Sequence, residues 1–104
     1  MDIKALKDAI KNKRIEWQRH SLERMLERNI SRSVVIETIL NGELIEYYSS
    51  DKPFPSGLFL GRIDQRPIHV IISYDSSNEK VFIITAYEPD LEHFEPGFKV
   101  RRKT

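Results

Sequence analysis

The stretch Ile68-His-Val-Ile-Ile-Ser-Tyr-Asp-Ser-Ser-Asn-Glu-Lys-Val-Phe-Ile-Ile-Thr-Ala-Tyr87 decides the fold. Ile68 to Tyr74 and Val81 to Tyr87 are rich in β-branched and aromatic residues, and the turn-forming Asp75-Ser-Ser-Asn-Glu79 between them is short enough for an antiparallel hairpin. The apolar density of Ile68 to Ser73 and Val81 to Ala86 marks both as central strands. Upstream, Leu58 to Ile63 joins them through Asp64-Gln-Arg-Pro67, and Leu44 to Tyr48 precedes a loop, Ser49 to Ser56, in which two prolines prevent regular pairing. Four strands are therefore predicted over about residues 43–88, the last three as an antiparallel meander.

Before Gly42 the apolar period is about 3.6 residues rather than 2. Ile3, Leu6 and Ile10 follow Asp2, an N-cap candidate, and Lys11, Lys13 and Arg14 suit the negative end of the helix dipole. Leu22, Met25, Leu26 and Ile30 are expected on one face of a second helix, which Asn29 can end in the left-handed conformation. Ser31 or Ser33 can cap a third helix that carries Val34, Val35, Ile36, Ile39 and Leu40 and stops at Asn41-Gly42. The fold class is thus α+β, with N-terminal helices of about residues 3–41 packed on one face of a mainly antiparallel four-stranded sheet. A C-terminal turn through Leu91 and Phe94 and a basic tail complete residues 89–104.

The 104 residues suit one domain, and a chain of this size buries roughly two-thirds of its unfolded surface, enough for a core without staples. With no Cys there is no disulfide framework, thiolate metal site or Cys nucleophile, and a reducing cytoplasm is the expected location. Charged residues interrupt the N-terminus where a signal peptide needs an apolar run, and no stretch approaches membrane-spanning length, so no membrane partner is expected. The 17 Lys and Arg balance 16 Asp and Glu overall, yet bases cluster between Lys4 and Arg32 and at Lys99, Arg101, Arg102 and Lys103. Such clusters permit a local anion-binding face.

His20, Arg24 and Arg28 recur every four residues and share a helix stripe. Guanidinium forks bind phosphate oxygens in pairs, and an imidazole transfers protons near neutral pH, so a phosphodiester is a natural substrate for this set. The competing reading is surface ion pairing of Glu16 with His20, Arg19 with Glu23 and Arg24 with Glu27. On the last strand, strict alternation would send Ile83, Thr85 and Tyr87 to one side and Phe82, Ile84 and Ala86 to the other. Thr85 and Tyr87 would then join a site or simply satisfy strand preference. His69 reads first as a half-buried, hydrogen-bonded strand histidine, and Arg62, His69, Arg101 and Arg102 form the candidate substrate-binding set. His20, His69 and His93 lack metal-ligand spacing, and no Gly-rich phosphate loop occurs, so neither metal nor cofactor is expected.

The run His20-Ser-Leu-Glu-Arg-Met-Leu-Glu-Arg-Asn-Ile-Ser31, with Ile84-Thr-Ala-Tyr-Glu-Pro89 far downstream, resembles a family of small uncharacterised prokaryotic proteins. That family carries a His-[Ala/Ser]-x-x-Arg-Met-x-x-Arg-x-Ile-Ser helix and a Thr-x-Tyr strand, and it resembles in turn the RelE/ParE-like toxins. The resemblance implies a RelE-like fold and the toxin of a toxin–antitoxin pair, acting as a metal-independent endoribonuclease on RNA; because the chain is nearly neutral, the RNA would have to be held by local charge or by a larger assembly such as a ribosome. It also implies a cognate antitoxin, in some cases with a zinc-ribbon domain. Carried over by position, His20, Arg24, Arg28, Thr85 and Tyr87 would be the catalytic residues, with His20 as general base or acid and the arginines stabilising phosphorane charge. His69 or Tyr74 could serve as proton-transfer partner as well as Tyr87. Two alternatives stand beside this: a noncatalytic nucleic-acid or protein-binding module, and a ParE-like toxin with a protein target.

Overall fold

The computed structural model describes residues 1–103. Three helices precede most of a five-stranded sheet among them: α1 (Ile3–Lys11), β1 (Ile15–Trp17), α2 (Arg19–Glu27), α3 (Arg32–Asn41), β2 (Glu43–Tyr48), β3 (Ser56–Ile63), β4 (Arg66–Asp75) and β5 (Lys80–Tyr87). The helix starts follow local chemistry. The Asp2 carboxylate accepts the Ala5 amide at 3.0 Å, and the Ser31 hydroxyl accepts the Val34 amide at 3.2 Å. Asn29 does adopt the left-handed conformation, at φ 56°. Gly42 stops α3 differently: its φ is −88°, and the need for glycine is steric, since a Cβ there would lie 2.2 Å from the Thr38 carbonyl oxygen and 2.4 Å from that of Leu60.

The sheet order is β1-β5-β4-β3-β2. The meander is present, with β2 to β5 antiparallel in succession. The fifth strand, β1, corrects the expectation of four and makes the sheet mixed, because Ile15, Glu16 and Trp17 pair in parallel with Val81, Phe82 and Ile83. Three residues are too few to display a period, and this strand exists because β5 offers an edge to it. Glu16 consequently pairs with Lys80 at 3.2 Å instead of His20.

Leu6, Ile10, Met25, Ile30, Val35 and Ile39 from the helices bury against Phe59, Ile68, Val70, Ile72, Val81, Ile83 and Ala86 from the sheet. Leu26 departs from its expected place on the apolar face of α2: it is 83% exposed, and Ser21 and Met25, one turn apart, are the residues α2 buries. The second sheet face carries the site described below. No helix among the described residues is long and apolar enough to cross a membrane.

Candidate active site

A β-bulge in β5 decides which groups converge. Ile72 pairs with Ile83 and Ile71 with Thr85, so Ile84 is the extra residue and the alternation changes phase there. Ile83 and Ala86 both bury toward the helices, whereas Tyr87 shares the second face with its cross-strand partner His69. Simple alternation places Ile83 with Tyr87 and Ala86 opposite; the bulge reverses that.

The bulge also explains two residues of α2. β1 stops opposite Ile83, leaving the next β5 carbonyls without a strand partner. The buried Ser21 hydroxyl lies 2.7 Å from the Ile84 carbonyl and 3.2 Å from that of Ile83. Arg28 Nη1 donates to the Ala86 carbonyl at 2.9 Å and to Thr85 Oγ1 at 3.3 Å. The structure thus brings Arg28 and Thr85 together, at an edge that α2 closes in place of a strand. His20 and Arg24 are exposed on α2, and Arg24 faces Glu27 at 3.5 Å, while Arg19 pairs with Glu23 at 3.2 Å.

On the second face, residues from three strands and the C-terminal segment meet. His69 is 0% exposed. Its Nε2 lies 2.8 Å from the Phe98 carbonyl oxygen and its Nδ1 3.2 Å from the Tyr87 hydroxyl. A carbonyl only accepts, so Nε2 carries the proton, and in the neutral ring Nδ1 then accepts from Tyr87. Burial lowers the pKa of His69, opposed by the Phe98 carbonyl, and burial raises that of Tyr87, opposed by the Arg101 charge. Both groups are therefore held neutral.

Arg101 grips Glu46 in a two-pronged pair, Nε to Oε2 at 2.9 Å and Nη2 to Oε1 at 3.1 Å, and lies 4.9 Å above the Phe94 ring. Tyr48 donates its hydroxyl to Glu46 as well, and its pKa is raised by burial and then by that carboxylate. Beside this cluster a cavity of about 260 Å³ is lined by Tyr87, Glu88, Pro89, Asp90, His93, Phe94 and Arg101. Of the nine candidate residues, Tyr87, His69 and Arg101 converge here. Arg62 and Arg102 instead brace the C-terminal segment: Arg62 donates to the Gly97 carbonyl at 3.1 Å, and Arg102 bonds the Leu91 carbonyl and, at 3.0 Å, Glu95.

Glu46 and Tyr48 are not among the sequence candidates, although a glutamate two residues from a tyrosine on one strand places both side chains on the same face. Asp90, Glu92 and His93 form a group close enough to hold a cation, their ligand atoms lying within 4.8 Å of one another. Asp90 already accepts the His93 amide at 2.9 Å and faces His93 Nδ1 at 2.8 Å, bonds that close an exposed turn and lower the Asp90 pKa.

Residues 17–88 match the family model described as a domain of unknown function, DUF4258. The chain belongs to the DUF4258 family. Comparison with curated proteins and with solved structures gives no match. The DUF4258 match includes Glu46, Tyr48, His69 and Tyr87, whereas Phe94, Phe98 and Arg101 follow it.

Proposed function

We propose that this DUF4258 chain is a metal-independent endoribonuclease of RelE-like kind, with its site on the second sheet face rather than on the helix stripe. The observation that carries the reading is the convergence of His69, Tyr87 and Arg101 beside one cavity. RNA brings its own nucleophile, so a protein that cleaves it needs at the least a proton acceptor and a cation at the phosphate, with water able to act as the acid. In the proposed reaction the ribose 2′-hydroxyl attacks the adjacent phosphorus and the bond to the 5′-oxygen breaks, giving a 2′,3′-cyclic phosphate. Tyr87 receives the 2′-hydroxyl proton as its own passes to His69 Nδ1, Arg101 offsets the phosphorane charge, and water supplies the proton to the leaving 5′-oxygen. The wider proposal is a toxin whose antitoxin covers this face.

The test is cleavage of a single-stranded RNA oligonucleotide in the presence of chelator. Loss of cleavage in Tyr87→Phe and Arg101→Ala, with His20→Ala still active, supports the site. The opposite pattern moves the chemistry to α2, and intact RNA with the wild-type chain removes the reaction. A noncatalytic binding module is favoured by one feature, the existing pair between Arg101 and Glu46, and it predicts salt-sensitive binding of RNA that stays whole.

A further inference from the structure

The C-terminal segment does not leave the domain as a free basic tail. The Glu95 amide donates to the Val100 carbonyl at 2.8 Å and the Arg102 amide to the His93 carbonyl at 2.9 Å, so residues 93–102 fold into a small hairpin. Its tip needs the left-handed region twice in succession, at Gly97 (φ 92°) and Phe98 (φ 61°). Four anchors hold the hairpin against three strands. Lys99 pairs with Glu43 at 2.9 Å and Arg101 with Glu46, both on β2. Arg62 on β3 holds the Gly97 carbonyl and lies 5.9 Å above the Phe98 ring. His69 on β4 takes the Phe98 carbonyl and meets the Phe94 ring edge-on at 4.6 Å.

We infer that this hairpin is a positioning element for the site: the Phe98 carbonyl fixes the His69 ring in its Nε2–H form, which leaves Nδ1 as the acceptor that orients the Tyr87 hydroxyl. Nδ1 accepts from a phenol only when the ring proton sits on Nε2, and a buried Nε2–H needs an acceptor. The strands supply none to Nε2 in this structure, whereas the hairpin supplies a carbonyl at 2.8 Å. The same fold delivers Arg101 to Glu46, so one segment sets the ring and brings the cation. The ionisable groups around His69 are Tyr87, Arg101 and Glu46. The catalytic consequence rests on the reading above; the state of His69 does not.

The direct test is a nitrogen–proton NMR correlation of the histidine rings in the full chain near neutral pH. A single Nε2–H form of His69 is expected; an Nδ1–H form, a mixture of the two forms, or a charged ring overturns the proposal. Gly97→Ala strains the tip without filling space, since a Cβ there meets nothing within 4 Å, and Arg62→Ala removes an anchor without altering the backbone. In whichever variant stays folded and shifts the Phe98 amide, His69 should become a mixture of forms. An unchanged His69 beside a displaced Phe98 overturns the proposal. Where neither variant moves Phe98, the wild-type spectrum decides. For RNA cleavage the displaced hairpin should lower kcat at least tenfold with KM changed less, whereas a wild-type chain that leaves RNA intact defeats the activity without touching the NMR result.

Discussion

The two faces of the sheet come from the same strands, and alternate residues of β4 show how differently they are used. Ile68, Val70 and Ile72 face the helices and are fully buried among aliphatic side chains. His69, one position along, points the other way into a hydrogen-bonded setting made by Tyr87 and a hairpin backbone. On the helix side the free energy comes from apolar area removed from water, which needs no particular partner. On the second side each buried polar atom needs a specific donor or acceptor, and such requirements bring ionisable groups together. The first face makes the fold; the second gathers ionisable groups beside a cavity.

The largest effect should come from the apolar face. Ile72→Ala leaves a cavity between sheet and helices and should cost about 2–5 kcal/mol in urea unfolding, and any RNA cleavage should fall only as the folded fraction falls. On the other face Arg101→Ala should invert that pattern, with cleavage reduced at least about 100-fold and stability lowered by about 1 kcal/mol or less, read by oligonucleotide kinetics and urea midpoints on one sample. If both substitutions act only through stability, the contrast between the faces has no functional content.

Arg28→Ala sharpens the contrast at their shared border. Because its guanidinium completes the β5 edge, the expected outcome is a loss of about 1 kcal/mol and faster amide exchange near Ala86, with kcat retained. A catalytic loss far beyond the stability loss would give the helix stripe a direct role. The smallest effect is in pH. His69 is more acidic in the folded chain than the ordinary imidazole value of 6.5, so unfolded chains bind its proton first as pH falls. Its stabilising contribution is complete above about pH 6.5 and declines as pH falls from there through the folded value. Urea midpoints against pH should show that decline, and His69→Gln should flatten it.

The legible parts of this molecule were those whose signals are local. Asp2 and Ser31 cap helices, Asn29 turns left-handed, and Asp64 and Gln65, at φ 52° and 67°, make the tight turn between β3 and β4. The helix stripe was equally visible, but spacing cannot tell a guanidinium aimed at solvent from one completing a strand edge, as Arg24 and Arg28 show. Tyr87 and His69 each stand out in the sequence, yet their partnership depends on register. A single extra residue at Ile84 reverses the phase of everything after it.

Taken alone, the chain's order of residues determined the helices, the antiparallel meander and the turns between strands, because caps, periodicity and turn chemistry act over a few neighbouring residues. Tertiary structure alone decided β1, the bulge, and the folding of the C-terminal hairpin onto the second sheet face. Those features join groups far apart in the chain, such as Ser21 with Ile83, His69 with Phe98 and Glu46 with Arg101, separated by 62, 29 and 55 positions. Such contacts follow from which edge, face and acceptor the folded core leaves unsatisfied, and no local pattern encodes that.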